Sequence, residues 1–85
     1  MKVQFHKNFI KQYKKRPAIQ KRTDERLALF RINPFDVILN NHGLTGKYAG
    51  CRSINITGDY RAVFELINDN TIQFIDLDTH SNLYG

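Results

Sequence analysis

Two prolines, Pro17 and Pro34, are the only ones in the chain, and they bracket what its first half can become. Proline lacks a backbone donor and collides with the preceding helical turn, so no helix runs through either position. Pro17 therefore ends one helix and suits the first turn of the next. Asn33, placed before Pro34, is pushed towards extended backbone, so the second helix stops there. Ahead of Pro17, Phe9, Ile10 and Tyr13 share one side of a helix that Asn8 is placed to cap, with Lys11, Lys14 and Lys15 on the other. Between the prolines, Ile19, Thr23, Leu27 and Phe30 recur at spacings of four, four and three, one semi-apolar stripe.

Elsewhere the period is two. Val3 and Phe5 alternate with Gln4 and His6, which predicts a short first strand. From Phe35 to Gly50 the chain is punctuated by Pro, Asn and Gly and reads as an ordered loop. Ile54 and Ile56 alternate with Ser53, Asn55 and Thr57, and Gly58-Asp59 is a hairpin signal. Tyr60 to Ile67, a turn at Asn68-Asp69-Asn70, and Thr71 to Leu77 complete an antiparallel meander. The predicted fold is a single α+β domain over residues 1–85, in the order β-α-α-β-β-β. Its two N-terminal helices pack on one face of an antiparallel sheet. Six Phe and four Tyr supply a core without metal or disulfide staples. Cys51 stands alone, so no internal disulfide forms, and a reducing, cytoplasmic setting is expected. The charged first ten residues hold no signal-peptide h-region, and no apolar run approaches a membrane span.

Charge gives the first functional clue. The net +5 is unevenly spread: residues 1–31 carry +8, and residues 32–85 carry −3. A segment so basic attracts a polyanion at long range and binds it in a salt-dependent way. A solvated lysine-rich helix face is the plainer reading, and charge alone does not choose between the two.

Three places offer acid–base chemistry: His42 in Asn41-His42-Gly43-Leu44-Thr45-Gly46, Asp59-Tyr60-Arg61 at the hairpin, and His80 past the last strand. Two histidines and an arginine suffice for RNA cleavage. One group deprotonates the 2′-OH, another protonates the departing 5′-oxygen, and a guanidinium stabilises the phosphate. RNA brings its own nucleophile, so no Ser, Cys, metal or cofactor is called for. Each residue also has a structural alternative: His42 as a surface residue, His80 as a strand terminator, Arg61 as a partner for Glu65, Tyr84 as a core plug. His42, His80 and Asp76 or Asp78 lack metal-ligand spacing. Gly43, Gly46 and Gly50 lack the strand–helix context of a phosphate loop.

Three blocks together resemble the RelE/ParE toxin superfamily, and within it the YafQ-like branch of ribosome-dependent endoribonucleases. His42-Gly43-Leu44-Thr45-Gly46-Lys47-Tyr48-Ala49-Gly50-Cys51-Arg52-Ser53-Ile54 looks like that branch's His, Leu, Gly, aromatic, Gly and Arg pattern. Asp59-Tyr60-Arg61-Ala62-Val63-Phe64 is similar to its Asp-aromatic hairpin and following strand. Thr79-His80-Ser81-Asn82-Leu83-Tyr84 is close to its Thr-His-x-x-Leu-aromatic ending. The basic helical half matches in kind only.

The resemblance implies that His42, Asp59, His80 and Tyr84 are catalytic. Tyr60 takes the place of the aromatic beside the catalytic Asp. Arg61 matches an arginine that contacts phosphate. There are two departures: Asn55 stands where some members have a histidine, and Asp76 or Leu77 where some have a basic residue. Asn55 can orient phosphate or ribose but cannot transfer a proton. The expected protein is a type II toxin that cleaves mRNA in the A site of the 70S ribosome. Lys11, Lys14, Lys15 and Lys21 would grip RNA, and a cognate antitoxin would be its protein partner. Two other classes stay open, a ParE-like gyrase poison without RNase activity and a non-catalytic RNA-binding domain.

Overall fold

The computed structural model describes residues 1–85. Strand β1 (Lys2–Phe5) leads into α1 (Lys7–Lys14), and α2 (Pro17–Ile32) follows a break at Lys15-Arg16. Pro17 sits in the first turn of α2 and Asn33 closes it, as the two prolines dictate. His6, not Asn8, caps α1: its Nδ1 accepts the Asn8 N–H at 3.0 Å. The Asn8 side chain instead donates to the Ile75 carbonyl at 2.9 Å, fastening α1 to the sheet.

Strands β2 (His42–Gly43), β3 (Arg52–Asn55), β4 (Tyr60–Asn68) and β5 (Thr71–Thr79) join β1 in one sheet of order β1-β5-β4-β3-β2. A short helix, α3 (His80–Tyr84), continues directly from β5. The strands β2 to β5 pair antiparallel, whereas β1 lies parallel to β5. The sheet is therefore mixed, which corrects the wholly antiparallel sheet expected from the sequence. Parallel neighbours need a long crossover, and everything between Phe5 and Thr71 supplies it. Their register sets Val3 beside Ile72 and Phe5 beside Phe74, so both strands turn the same apolar face inward. The β3–β4 connection is wider than a tight Gly58-Asp59 turn. Ile56 is fully buried and has to be placed in the core before the chain reverses. The N–H groups of Ile56 and Thr57 both reach the Tyr60 carbonyl, and Thr57 Oγ1 accepts from Asp59 and Tyr60 N–H.

Five of the six phenylalanines, Phe5, Phe9, Phe30, Phe64 and Phe74, form one ring cluster between helices and sheet. Thr23 of the α2 stripe is buried with them, its hydroxyl satisfied by the Ile19 carbonyl at 2.8 Å. Residues between the core positions point to the other face, because side chains alternate along a strand. Cross-strand pairing gathers them into two rows, Ser53–Val63–Asp76 and Asn55–Arg61–Asp78. Val63 and Leu83 are buried there, apart from the main cluster. No helix is long and apolar enough to cross a membrane.

Candidate active site

The site begins with a loop that only glycine can shape. Gly46 and Gly50 hold φ of +65° and +89°, in the left-handed region that other residues adopt at a cost. Between them a single 3-10 turn, Gly46–Tyr48, brings the Tyr48 side chain back over the sheet. Its hydroxyl donates to Asp76 Oδ2 at 2.8 Å. Burial first, and then that carboxylate, push the Tyr48 pKa well above its ordinary value, so the phenol keeps its proton.

At the end of β5, Thr79 caps α3 by accepting the Asn82 N–H at 3.2 Å. This places His80 and Tyr84 one turn apart on the same helix face, with ring centroids 4.8 Å apart. Tyr84 then meets Tyr48 edge-on at 6.2 Å. The Tyr84 hydroxyl is buried without a hydrogen-bond partner. These groups wall a cleft of about 590 Å³, together with His42, Lys47 and Asn82.

His42 occupies the edge strand β2, opposite Ser53. Its Nδ1 lies 2.8 Å from the Asn40 carbonyl. A carbonyl only accepts, so Nδ1 is the donor in this contact, and in the neutral ring the lone pair is then on Nε2. Both histidines are exposed. The cleft thus brings together His42, His80 and Tyr84. Asp59 does not line it; its carbonyl accepts the His80 N–H at 2.9 Å and so fixes the start of α3.

Arg61 and Asn55 are cross-strand neighbours beside the site, not walls of the cleft. Arg61 Nη1 bonds the carbonyls of Thr57, Gly58 and Tyr60 at 3.0–3.1 Å, and no contact with Glu65 forms. Asn55 Oδ1 is buried and unpartnered. Lys11, Lys14, Lys15 and Lys21 are exposed on α1, the break after it and α2, away from the cleft lining. No three His, Cys, Asp or Glu side chains converge as a metal site requires. Burial, and then Glu65, hold the Cys51 thiol above its usual pKa.

Sequence reasoning passed over Lys47, the one Lys or Arg in the cleft lining, whose Nζ stands 5.2 Å from the Tyr48 ring centroid. It lies inside a motif noticed for its glycines. The position between two loop glycines was the available signal.

From residue 1 to 85 the sequence matches the family described as the bacterial toxin of type II toxin–antitoxin systems, YafQ. The chain belongs to the YafQ family. In fold it is similar to YafQ from E. coli, with a TM-score of 0.82 at 19% identity over 98% of this chain and 97% of that one. A copper-bound mutant toxin from Helicobacter pylori gives 0.76 at 27% identity, covering 99% of both chains. YafQ in the E. coli DinJ–YafQ complex gives 0.75 at 22% identity over 98% and 97%. No curated protein sequence matches the chain significantly. Membership of the YafQ family makes this chain a type II toxin, with a YafQ-like α+β fold.

Proposed function

We propose that this YafQ-family toxin is an endoribonuclease that cleaves mRNA in the ribosomal A site. The observation that carries the reading is the cleft itself, which two exposed histidines share with one lysine. His42, with its lone pair on Nε2, takes the proton of the 2′-OH. The 2′-oxygen attacks phosphorus, the bond from phosphorus to the 5′-oxygen breaks, and His80 protonates that oxygen. The products are a 2′,3′-cyclic phosphate and a 5′-OH end. Lys47 neutralises charge on the phosphate, the task that sequence resemblance gives to Arg61. Tyr84 offers its ring to the nucleotide, Asp59 steadies His80 through its backbone carbonyl, and Asn55 supports the phosphate or ribose through hydrogen bonds.

The exposed lysines of α1, α2 and the break between them grip ribosomal RNA, and translation presents the codon to the cleft. The E. coli DinJ–YafQ toxin–antitoxin complex supplies the analogy for a cognate antitoxin, which would cover the site when the toxin is silent. Induced alone in a bacterium, the wild-type chain should arrest growth and cut translated mRNA, with little cleavage of naked RNA. His80→Ala should fold and relieve both effects. Equal toxicity from that variant, or efficient digestion of naked RNA, would overturn the reading.

A further inference from the structure

Helix α3 has five residues, and helices of fewer than about 12 residues are marginal on their own. Its orientation has to come from outside. Asp78, the residue before its cap, supplies the connection. A single oxygen, Oδ1, accepts from Thr79 N–H at 2.8 Å, Asn82 Nδ2 at 3.0 Å and Arg16 Nη2 at 2.7 Å. The first two donors belong to the α3 segment and would move with it. Arg16 does not, since it sits at the break between α1 and α2. It is itself held: Nη1 donates to Gln12 Oε1 at 2.8 Å, and the guanidinium lies 5.5 Å from the Tyr60 ring centroid. Both side chains of the ion pair are only 19% exposed.

We propose that Arg16 and Asp78 form the positioning pair of this site, orienting α3 so that His80 and Tyr84 line the cleft facing His42. The inference rests on the proposed function in one respect, that His80 is a group whose placement governs cleavage. It assigns Arg16 a role opposite to that of its neighbours. Lys14 and Lys15 are exposed and free to meet a polyanion, whereas the Arg16 charge is committed internally. A charge-assisted bond from a braced guanidinium holds direction as well as distance. Neither residue touches substrate; both act through α3.

The test compares Arg16→Gln, Arg16→Lys, Asp78→Asn and the double variant with Lys14→Gln in the full-length protein. Ribosome binding is measured at several salt concentrations, cleavage in single turnover on programmed ribosomes, and His80 ring resonances by NMR, where the Tyr84 ring current reports their geometry. Arg16→Gln should keep wild-type affinity and salt slope, shift the His80 resonances and slow cleavage by up to about 100-fold, the scale of an ångström of misplacement. Arg16→Lys should restore most of the rate. The double variant should be no worse than either single one, as expected of partners in one interaction. Lys14→Gln should lower the salt slope and leave the His80 resonances alone. If Arg16→Gln behaves like Lys14→Gln, or Asp78→Asn folds with unshifted His80 resonances, the positioning role is wrong. If wild type fails to cleave translated mRNA while the resonances respond as stated, the endonuclease reading falls and the positioning pair stands.

Discussion

At Lys47, one side chain takes on in the proposed mechanism the phosphate role that sequence resemblance gives to Arg61. Arg61 is turned onto the carbonyls of the β3–β4 turn, and Asp76 or Leu77 stands where some relatives are expected to have a basic group. Asp76 lies outside the cleft lining, and its carboxylate accepts from the Tyr48 hydroxyl and the Leu77 N–H. Lys47 is then the remaining fixed positive charge in the cleft lining. Lys47→Gln should slow single-turnover cleavage by about 10²-fold, the scale for removing one group that stabilises a transition-state charge. Lys47→Arg should retain most of the rate. Cleavage at the wild-type rate by Lys47→Gln would show that phosphate charge is met elsewhere. Because the Tyr48 proton is held by burial and by Asp76, Tyr48 is unsuited to be the general acid at neutral pH, and His80 remains the candidate.

Elements hold the site through a few local devices, and two of these make separable predictions. Gly50 has φ of +89°, whereas Gly58 adopts no left-handed conformation and has open space where a Cβ would go. Gly50→Ala should therefore lower stability by about 1 kcal/mol or more, read as a drop in Tm, and Gly58→Ala should change it little. Asp78 gives the pH counterpart. Burial raises its pKa, but hydrogen bonds from Asn82 and Thr79 N–H and the Arg16 charge outweigh this and hold it below the ordinary value. A depressed carboxylate stabilises the fold above its unfolded pKa, about 3.9, and the gain is lost as pH falls through the folded value. Arg61, its cross-strand partner, turns its charge onto the carbonyls of the β3–β4 turn instead. Wild type should thus exceed Asp78→Asn in denaturant stability by a constant margin above about pH 5, closing below about pH 4. A constant margin down to pH 2 would mean that the carboxylate charge is irrelevant. These same elements mark what the sequence could disclose. Pro17 and Pro34 act through local sterics, so both helices were legible, and so was the buried stripe through Thr23 and Phe30. Strand β2 spans only two residues, too few to show a period, and α3 starts from a Thr79 cap without apolar periodicity. The parallel β1–β5 pairing joins residues nearly a whole chain apart and leaves no local trace. His42, His80 and Tyr84 were readable from motif order. The direction Arg61 takes was not, because it is set by turn carbonyls that exist only in the fold.

Across the whole molecule, charge and chemistry occupy different places. The +8 of residues 1–31 lies on the helices and their flanks, while His42, Lys47, His80 and Tyr84 come from β2, the glycine loop and α3. Lys11, Lys14, Lys15 and Lys21 are exposed and outside the cleft lining, so they are free to contact phosphates without touching the reacting atoms. Neutralising all four should weaken ribosome binding and flatten its salt dependence. Each lost phosphate contact reduces the log–log slope by about 0.7–0.9, the figure for counterion release from simple nucleic acids. Cleavage of mRNA already bound should change little, because no group at the cleft has been altered. His80→Ala should do the reverse, keeping affinity near wild type while cleavage falls by about 10²–10⁴-fold, the range for losing a general acid or base. Binding isotherms at several salt concentrations and single-turnover cleavage on programmed ribosomes measure the two effects separately. Normal binding by the four-lysine variant would remove the helices from the RNA contact. A proportional loss of binding and cleavage in His80→Ala would mean that the cleft grips the ribosome as well as cutting the message.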